Sequence, residues 1–83
     1  MMVHIVQHYG DNKDGTIRFN GIDGVYASKK DAEDYLSGLD SYHFRGETHK
    51  FKKTYDRSPS YRSVVTDDDW SITFKIIAKE VNG

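Results

Sequence analysis

Residues 11–15, which read DNKDG, have the residue types of the first half of a calcium-binding loop. An EF-hand loop places oxygen ligands at about positions 1, 3, 5, 7 and 9, glycine at 6 and a bidentate glutamate at 12. When the last glycine of the stretch takes position 6, Asn12 and Asp14 align with two of the ligand positions. Gly10 and Gly21, however, fall where the first and last carboxylates are needed. We therefore expect no metal here and predict a turn between two strands, because Asp, Asn and Gly favour turn conformations.

The histidines, His4, His8, His43 and His49, could ligate zinc or act as general bases. His4 and His8 have a ligand spacing suited to a helix, but on a predicted strand they stand about 13 Å apart. That distance is too long to share an ion held about 2 Å from each nitrogen, while pairing with His43 or His49 stays open. There is neither a G-x-S-x-G elbow nor a cysteine nucleophile. We expect no enzyme activity, no metal and no cofactor.

A basic segment covers residues 43–62, where six basic residues stand against two acidic ones. Aromatic residues are interleaved with the basic ones, and proteins that bind single strands use cations for phosphates and rings for bases. The candidate binding residues are Arg45, Lys50, Lys52, Lys53, Arg57, Tyr61 and Arg62. A second interpretation stays open, because lysines along a strand edge also discourage unwanted strand pairing and the rings can belong to the core.

Most acidic residues lie outside the basic segment, and six of them form two groups. One group, on the outward side of a predicted helix, is Asp31, Glu33 and Asp34, and the other, before a predicted strand, is Asp67, Asp68 and Asp69. The second group is predicted to be a solvated turn, although it could hold a hard cation or form an acidic patch for a basic partner. A surface of separated charges suits electrostatically steered binding to another protein.

Residue periodicity predicts the elements that position these groups. Strands are predicted at residues 3–8, 16–19, 49–55 and 70–81, with loops at 40–47 and 57–60 and a short extended piece at 25–27. Ser28 can cap a helix through the amide of Asp31, and Gly38 provides its stop. The stripe Ala32, Tyr35, Leu36 and Leu39 makes that helix amphipathic. Because nine or ten residues are marginal alone, the helix must pack on a sheet.

These elements predict an α+β fold in a single domain, residues 1–83. We expect a small antiparallel sheet of four to five strands with one short helix packed on one face, in the order β-β-α-β-β. The inner side of the sheet is expected to come largely from the strand at 70–81, which begins with Trp70. This strand could also add to a partner's sheet or to a second copy in a homodimer.

Composition limits the class of protein. The chain has 83 residues, no cysteine, 36% hydrophobic residues and a net charge of −1, so neither disulfides nor a thiolate zinc site can contribute. No apolar run approaches the roughly 18 residues of a membrane span, and residues 1–4 lack the basic start of a signal peptide. We therefore expect a cytoplasmic protein.

Residues 24–39, GVYASKKDAEDYLSGL, resemble the strand-to-helix entry of small uncharacterised domains from phages and bacterial mobile elements. In those domains a short Val-Tyr segment leads through Ser into a charged helix. The resemblance implies a small accessory protein that acts by binding, as phage proteins that inhibit host factors do. We therefore expect a non-enzymatic protein that binds a protein partner, and inhibition of that partner stays open. The alternative is a nucleic-acid-binding module that uses residues 43–62.

Overall fold

The computed structural model describes residues 1–82 and contains six strands and one helix. In chain order these are β1 (Met2–Asp11), β2 (Arg18–Tyr26), α1 (Lys29–Ser37), β3 (Ser41–Phe44), β4 (Glu47–Ser58), β5 (Tyr61–Thr66) and β6 (Ser71–Glu80). The strands form one sheet in the order β2-β1-β6-β5-β4-β3, and neighbouring strands pair antiparallel. The sheet curls into a half-barrel.

The predicted sheet of four to five strands with a helix across one face is wrong. The structure has six strands, because residues 40–47, predicted as a loop, hold β3 and the start of β4, and because β5 was not expected. The arrangement also differs, since the curl brings the two edge strands together. The Phe19 ring of β2 stacks on the Tyr42 ring of β3 with centroids 5.1 Å apart. Rings from the strands therefore cover much of the inner side that was assigned to the helix.

The helix forms as its sequence predicts. The Ser28 hydroxyl accepts a hydrogen bond from the amide of Asp31 at 3.3 Å, which satisfies one of the free amides of the first turn. Ala32 and Leu36 are buried, and α1 packs against β1, β2 and β6. Leu36 joins buried side chains of the last two strands, so this short helix is stabilised by the core.

The predicted strand at 70–81 is confirmed as β6, and its inward residues Ile72 and Phe74 are almost fully buried. Trp70, just before β6, is 9% exposed. β6 lies between β1 and β5 and pairs with both. Both of its edges are therefore already hydrogen-bonded. Contrary to the expectation from sequence, this strand has no free edge that could add to a partner's sheet.

The turn at residues 11–15 uses its polar side chains internally. The Asn12 side-chain oxygen accepts from the Ile17 amide at 2.9 Å, and Asp14 accepts from the Thr16 amide at 3.1 Å. Gly15 has a φ of 74°, which favours glycine. The hairpin turn is thus confirmed, and the oxygens that resembled calcium ligands shape the turn.

Candidate nucleic-acid interface

The side of the sheet that faces away from α1, here called the outer face, is defined by the strand register. Residues opposite one another in an antiparallel pair point to the same side, and side chains alternate along each strand. His8 pairs with the buried Phe74, and Phe74 pairs with Arg62, so these three lie on the inner side. Tyr9 and Lys75, their neighbours in sequence, therefore point to the outer face.

Three tyrosines and three cations gather on the outer face and are called here the tyrosine–cation face: Tyr9, Tyr55, Tyr61, Lys53, Arg57 and Lys75. Tyr61 pairs directly with Lys75, and Tyr55 pairs with Ser63, which in turn pairs with Thr73 opposite Tyr9. Tyr9 is 46% exposed and Tyr55 is 55% exposed. The third ring, that of Tyr61, is partly exposed. Two exposed rings on one sheet face are available for contact with a partner.

Cations and rings alternate across this face. The Arg57 guanidinium carbon lies 5.3 Å from the centre of the Tyr61 ring. The Lys75 ammonium lies 5.7 Å from the centre of the Tyr61 ring and 5.3 Å from the centre of the Tyr9 ring. Each distance is within the range of a cation–π interaction. Two positive charges thus lie beside these rings on the outer face.

Electrostatics on this face favour negative charge. The hydrogen bond between the Ser63 hydroxyl and the phenol lowers the pKa of Tyr61 below its usual value. The Tyr9 phenol and the charges of Arg57 and Lys75 act in the same direction, while desolvation opposes them. The shift therefore comes mainly from hydrogen bonding, and the two cations make the smallest contributions to it. Arg57 and Lys75 are themselves positive charges that can attract anions to this face.

A shallow depression runs beside Tyr9 on the same face. It has a volume of about 400 Å³, and the residues on its rim include Gln7, Asn20, Ile22 and Lys75. Amide side chains and an ammonium therefore lie next to an exposed ring. This combination can contact both the polar edge and the flat side of a planar ligand.

The sequence-predicted binding residues divide between the two sides of the sheet. Lys53, Arg57 and Tyr61 lie on the tyrosine–cation face. Arg62 lies on the inner side, where its Nε donates to Asp56 at 2.7 Å and its Nη1 donates to the Leu39 carbonyl at 3.0 Å. Its guanidinium thus ties the end of α1 to the sheet.

The remaining basic candidates lie elsewhere. Arg45 has a φ of 51° in the turn between β3 and β4, and its guanidinium lies 4.9 Å from the Phe44 ring centre. Lys50 lies beside Asp67 and Asp68 at the start of β4. Lys52 sits where the register of β4 shifts, on a stretch beyond its pairing with β3. A lysine at a bulge on an unpaired edge discourages strand addition.

Sequence reasoning missed Tyr9 and Lys75. Both lie far from residues 43–62 along the chain, and only the pairing of β6 with β1 and β5 brings them beside Tyr61. Because side chains alternate along β6, the sequence does place Lys75 on the side of the sheet opposite to the buried Phe74. The sequence therefore predicts the side of the sheet to which this lysine points but not the residues that lie beside it in the fold.

The predicted acidic patch at Asp67, Asp68 and Asp69 forms a turn with internal contacts. Asp68 accepts hydrogen bonds from Thr66 at 2.6 Å and from His49 at 2.7 Å. Burial raises the pKa of Asp68, but these hydrogen bonds outweigh burial and hold the pKa below its ordinary value. The Asp69 carboxylate lies 3.8 Å from the Lys13 ammonium. The Asp68 carboxylate is thus occupied by hydrogen bonds within the protein.

A second polar cluster, His8 with Asp23 and Tyr42, fastens the two edges of the curl. His8 is 7% exposed; its Nδ1 is 2.7 Å from Asp23, and its Nε2 is 2.8 Å from the Tyr42 hydroxyl. Burial raises the pKa of Tyr42, and the charge of Asp23 adds to that effect. The phenol therefore keeps its proton at neutral pH. The cluster links β1, β2 and β3 and so joins the two edge strands of the curled sheet.

Within residues 1–82, no group of three or more His, Asp or Glu side chains is arranged to hold a metal ion. None of the helical residues described forms a segment long and apolar enough to cross a lipid bilayer.

Comparison of the chain with protein-family models, with curated proteins and with solved structures gave no match.

Proposed function

We propose that this chain is a binding protein and that the tyrosine–cation face binds nucleic acid. The observation that carries the proposal is the position of the Lys75 ammonium beside both the exposed ring of Tyr9 and the partly exposed ring of Tyr61. Cations supply phosphate contacts and aromatic side chains supply stacking surfaces in proteins of this kind. This proposal keeps the nucleic-acid alternative that the sequence suggested, but it moves the site.

The distribution of charge supports the proposal, although the net charge of the whole chain is −1. The strand register of residues 1–82 places Lys53, Lys75 and Lys79 on the outer face together with Arg18. Asp11 lies opposite Arg18 at the margin, and its carboxylate is 3.6 Å from the guanidinium. A phosphate backbone crossing the centre of this face would meet cations. Local charge, not net charge, sets such an encounter.

Binding is tested by fluorescence anisotropy with labelled oligonucleotides at low salt. We expect Lys75→Glu to weaken binding about tenfold or more and to reduce the slope of log affinity against log salt by about 1. Lys29→Glu is the matched control, because it makes the same charge change at an exposed position on α1. Equal affinity of both variants, or no binding of any oligonucleotide by the unmodified protein, would refute the proposed function.

A second candidate function is the binding, and possible inhibition, of a protein partner, as the sequence first suggested. The observation that favours it is the aliphatic side of the outer face, next to the tyrosines: Ile5, Ile22, Val25 and Ile77. Ile22 is 62% exposed and Val25 is 58% exposed. Contiguous exposed apolar groups mark protein contact sites. A phage origin and a host target stay predictions of this second function.

The second function predicts a partner whose capture depends on the aliphatic side. A pull-down from lysate, with nuclease present, should retain a protein on the unmodified chain and on Lys75→Glu. The variant Ile22→Ser with Val25→Ser should lose it. Retention by the unmodified chain and by both variants would show non-specific capture and refute this candidate.

A further inference from the structure

We infer that the ligand of the tyrosine–cation face is a single strand whose bases stack on Tyr9 and Tyr55, and this inference rests on the proposed function. These two exposed rings come from β1 and β4, so a ligand that touches both must cross the strands. A duplex keeps its bases stacked inside and presents phosphates at its surface. Stacking on these rings therefore requires bases that are free.

The spacing of the rings separates the two kinds of ligand. Tyr55 and Tyr9 lie in one cross-strand row, with Ser63 and Thr73 between them. Three steps of about 4.8 Å place these two tyrosines about 14 Å apart across the sheet. Stacked neighbours in a duplex strand rise by about 3.4 Å. Bases that each stack on a separate ring must therefore be pulled apart, and only an extended single strand allows that.

The order of groups across the face matches the order of groups along such a strand. From β4 to β1 the groups are Arg57, Tyr61, Lys75 and Tyr9, with neighbouring groups 5.3 to 5.7 Å apart. In a nucleic-acid strand each base has a phosphate on either side of its sugar. The Lys75 ammonium lies beside the Tyr9 ring and so is placed to meet a phosphate next to a base stacked on Tyr9. A cation already placed there reduces the ordering cost of binding.

Stacking also explains why the face uses tyrosine in exposed positions. A base on an aromatic side chain contributes about 5- to 150-fold in affinity, and every base has a flat side to offer. We therefore expect weak dependence on base sequence, because stacking on a ring does not distinguish one base from another. Ser63 and Thr73, which separate Tyr55 from Tyr9, are short and lie 3.4 Å apart, oxygen to oxygen.

The test compares three ligands of equal length, about ten nucleotides, by anisotropy at about 50 mM salt. These are an oligothymidylate, the same length of abasic deoxyribose phosphate, and a duplex. We expect the oligothymidylate to bind about tenfold or more tightly than either of the others. The abasic strand has the same phosphates without bases, so it isolates stacking from charge.

Variants of one ring complete the test. Tyr9→Leu removes the ring and should weaken oligothymidylate binding about tenfold, while leaving abasic binding unchanged. Tyr9→Phe keeps the ring and should bind like the unmodified protein, and a thermal melt shows that each variant is folded. Equal binding of thymidylate and abasic strands, or tighter binding of the duplex, would overturn the inference and leave the proposed function standing. Binding of none of the three would refute both, and would favour a protein partner.

Discussion

Arg62 should stabilise the fold and contribute little to ligand binding, contrary to its assignment from sequence. Its side chain is 12% exposed and donates to the Asp56 carboxylate and to the Leu39 carbonyl just after α1. The substitution Arg62→Met removes the donors while a long apolar stem remains. It leaves the Leu39 carbonyl without its charged donor and separates the end of α1 from the β4–β5 hairpin.

The magnitude follows from the two contacts. A hydrogen bond from a charged group contributes about 1.5 to 3 kcal/mol when its partner is shielded. The pair with Asp56 contributes less, at most about 1 kcal/mol, because that carboxylate is 52% exposed and screened by water. We therefore expect Arg62→Met to lower the free energy of unfolding by roughly 2 to 3 kcal/mol. For a domain of this size the melting temperature should fall by roughly 10 to 20 °C.

Urea unfolding, followed by Trp70 fluorescence and by circular dichroism, measures this change. Arg57→Met is the matched control, since Arg57 is exposed on β4, and its loss should change the free energy of unfolding by less than about 0.5 kcal/mol. An Arg62→Met variant as stable as the control would refute the role given to this guanidinium. So would a folded Arg62→Met protein that has lost oligonucleotide affinity as Lys75→Glu does.

Two further predictions concern ionisation. The pKa of Asp68 is lower in the folded state, so this carboxylate stabilises the fold above the unfolded pKa of about 3.9, and the stabilisation is lost as pH falls through the folded pKa. Asp68→Asn should therefore flatten the acid side of a plot of melting temperature against pH. An unchanged slope would contradict this role. One tyrosine should ionise before the others in an ultraviolet titration because the pKa of Tyr61 is lowered. That early step should vanish in Tyr61→Phe and move to higher pH in Ser63→Ala. If the early step persists in Tyr61→Phe, the residue that ionises first is not Tyr61.

The elements that depend on neighbours in sequence were predictable. The cap at Ser28 and the stripe through Ala32 and Leu36 specify α1, because capping and amphipathicity act within a few residues. The alternation of residues 70–80 likewise specifies a strand with one buried face, and β6 follows it. Such local patterns are visible without knowing the rest of the fold.

The curl and the strand order were not predictable in the same way. β3 has only four residues, and it is a strand because it pairs with β4, not because its own sequence alternates. The half-barrel depends on contacts between the sheet edges, such as Phe19 on Tyr42 and the link from Asp23 through His8 to Tyr42. Those residues are far apart along the chain. Their meeting therefore follows from the order of strands, which no local pattern specifies.

The candidate site shows the same division. The excess of basic residues in 43–62 was visible, but a strand sends alternate residues to opposite sides. Lys53 and Tyr61 accordingly reach the outer face, whereas Arg62 turns inward to Asp56. A linear count of charge cannot separate these residues. Only the register shows which of them share a surface.

The most direct test of the central claim is a nuclear magnetic resonance titration of the ¹⁵N-labelled protein with a short single-stranded oligonucleotide at low salt. Chemical-shift changes report which residues contact the ligand in solution. We predict that the largest changes cluster at Tyr9, Tyr61 and Lys75, with little change at the helix or at residues 67–69. Changes centred on the helix or on that turn, or no changes at any oligonucleotide concentration, would contradict the claim that the outer face of the sheet is the binding surface.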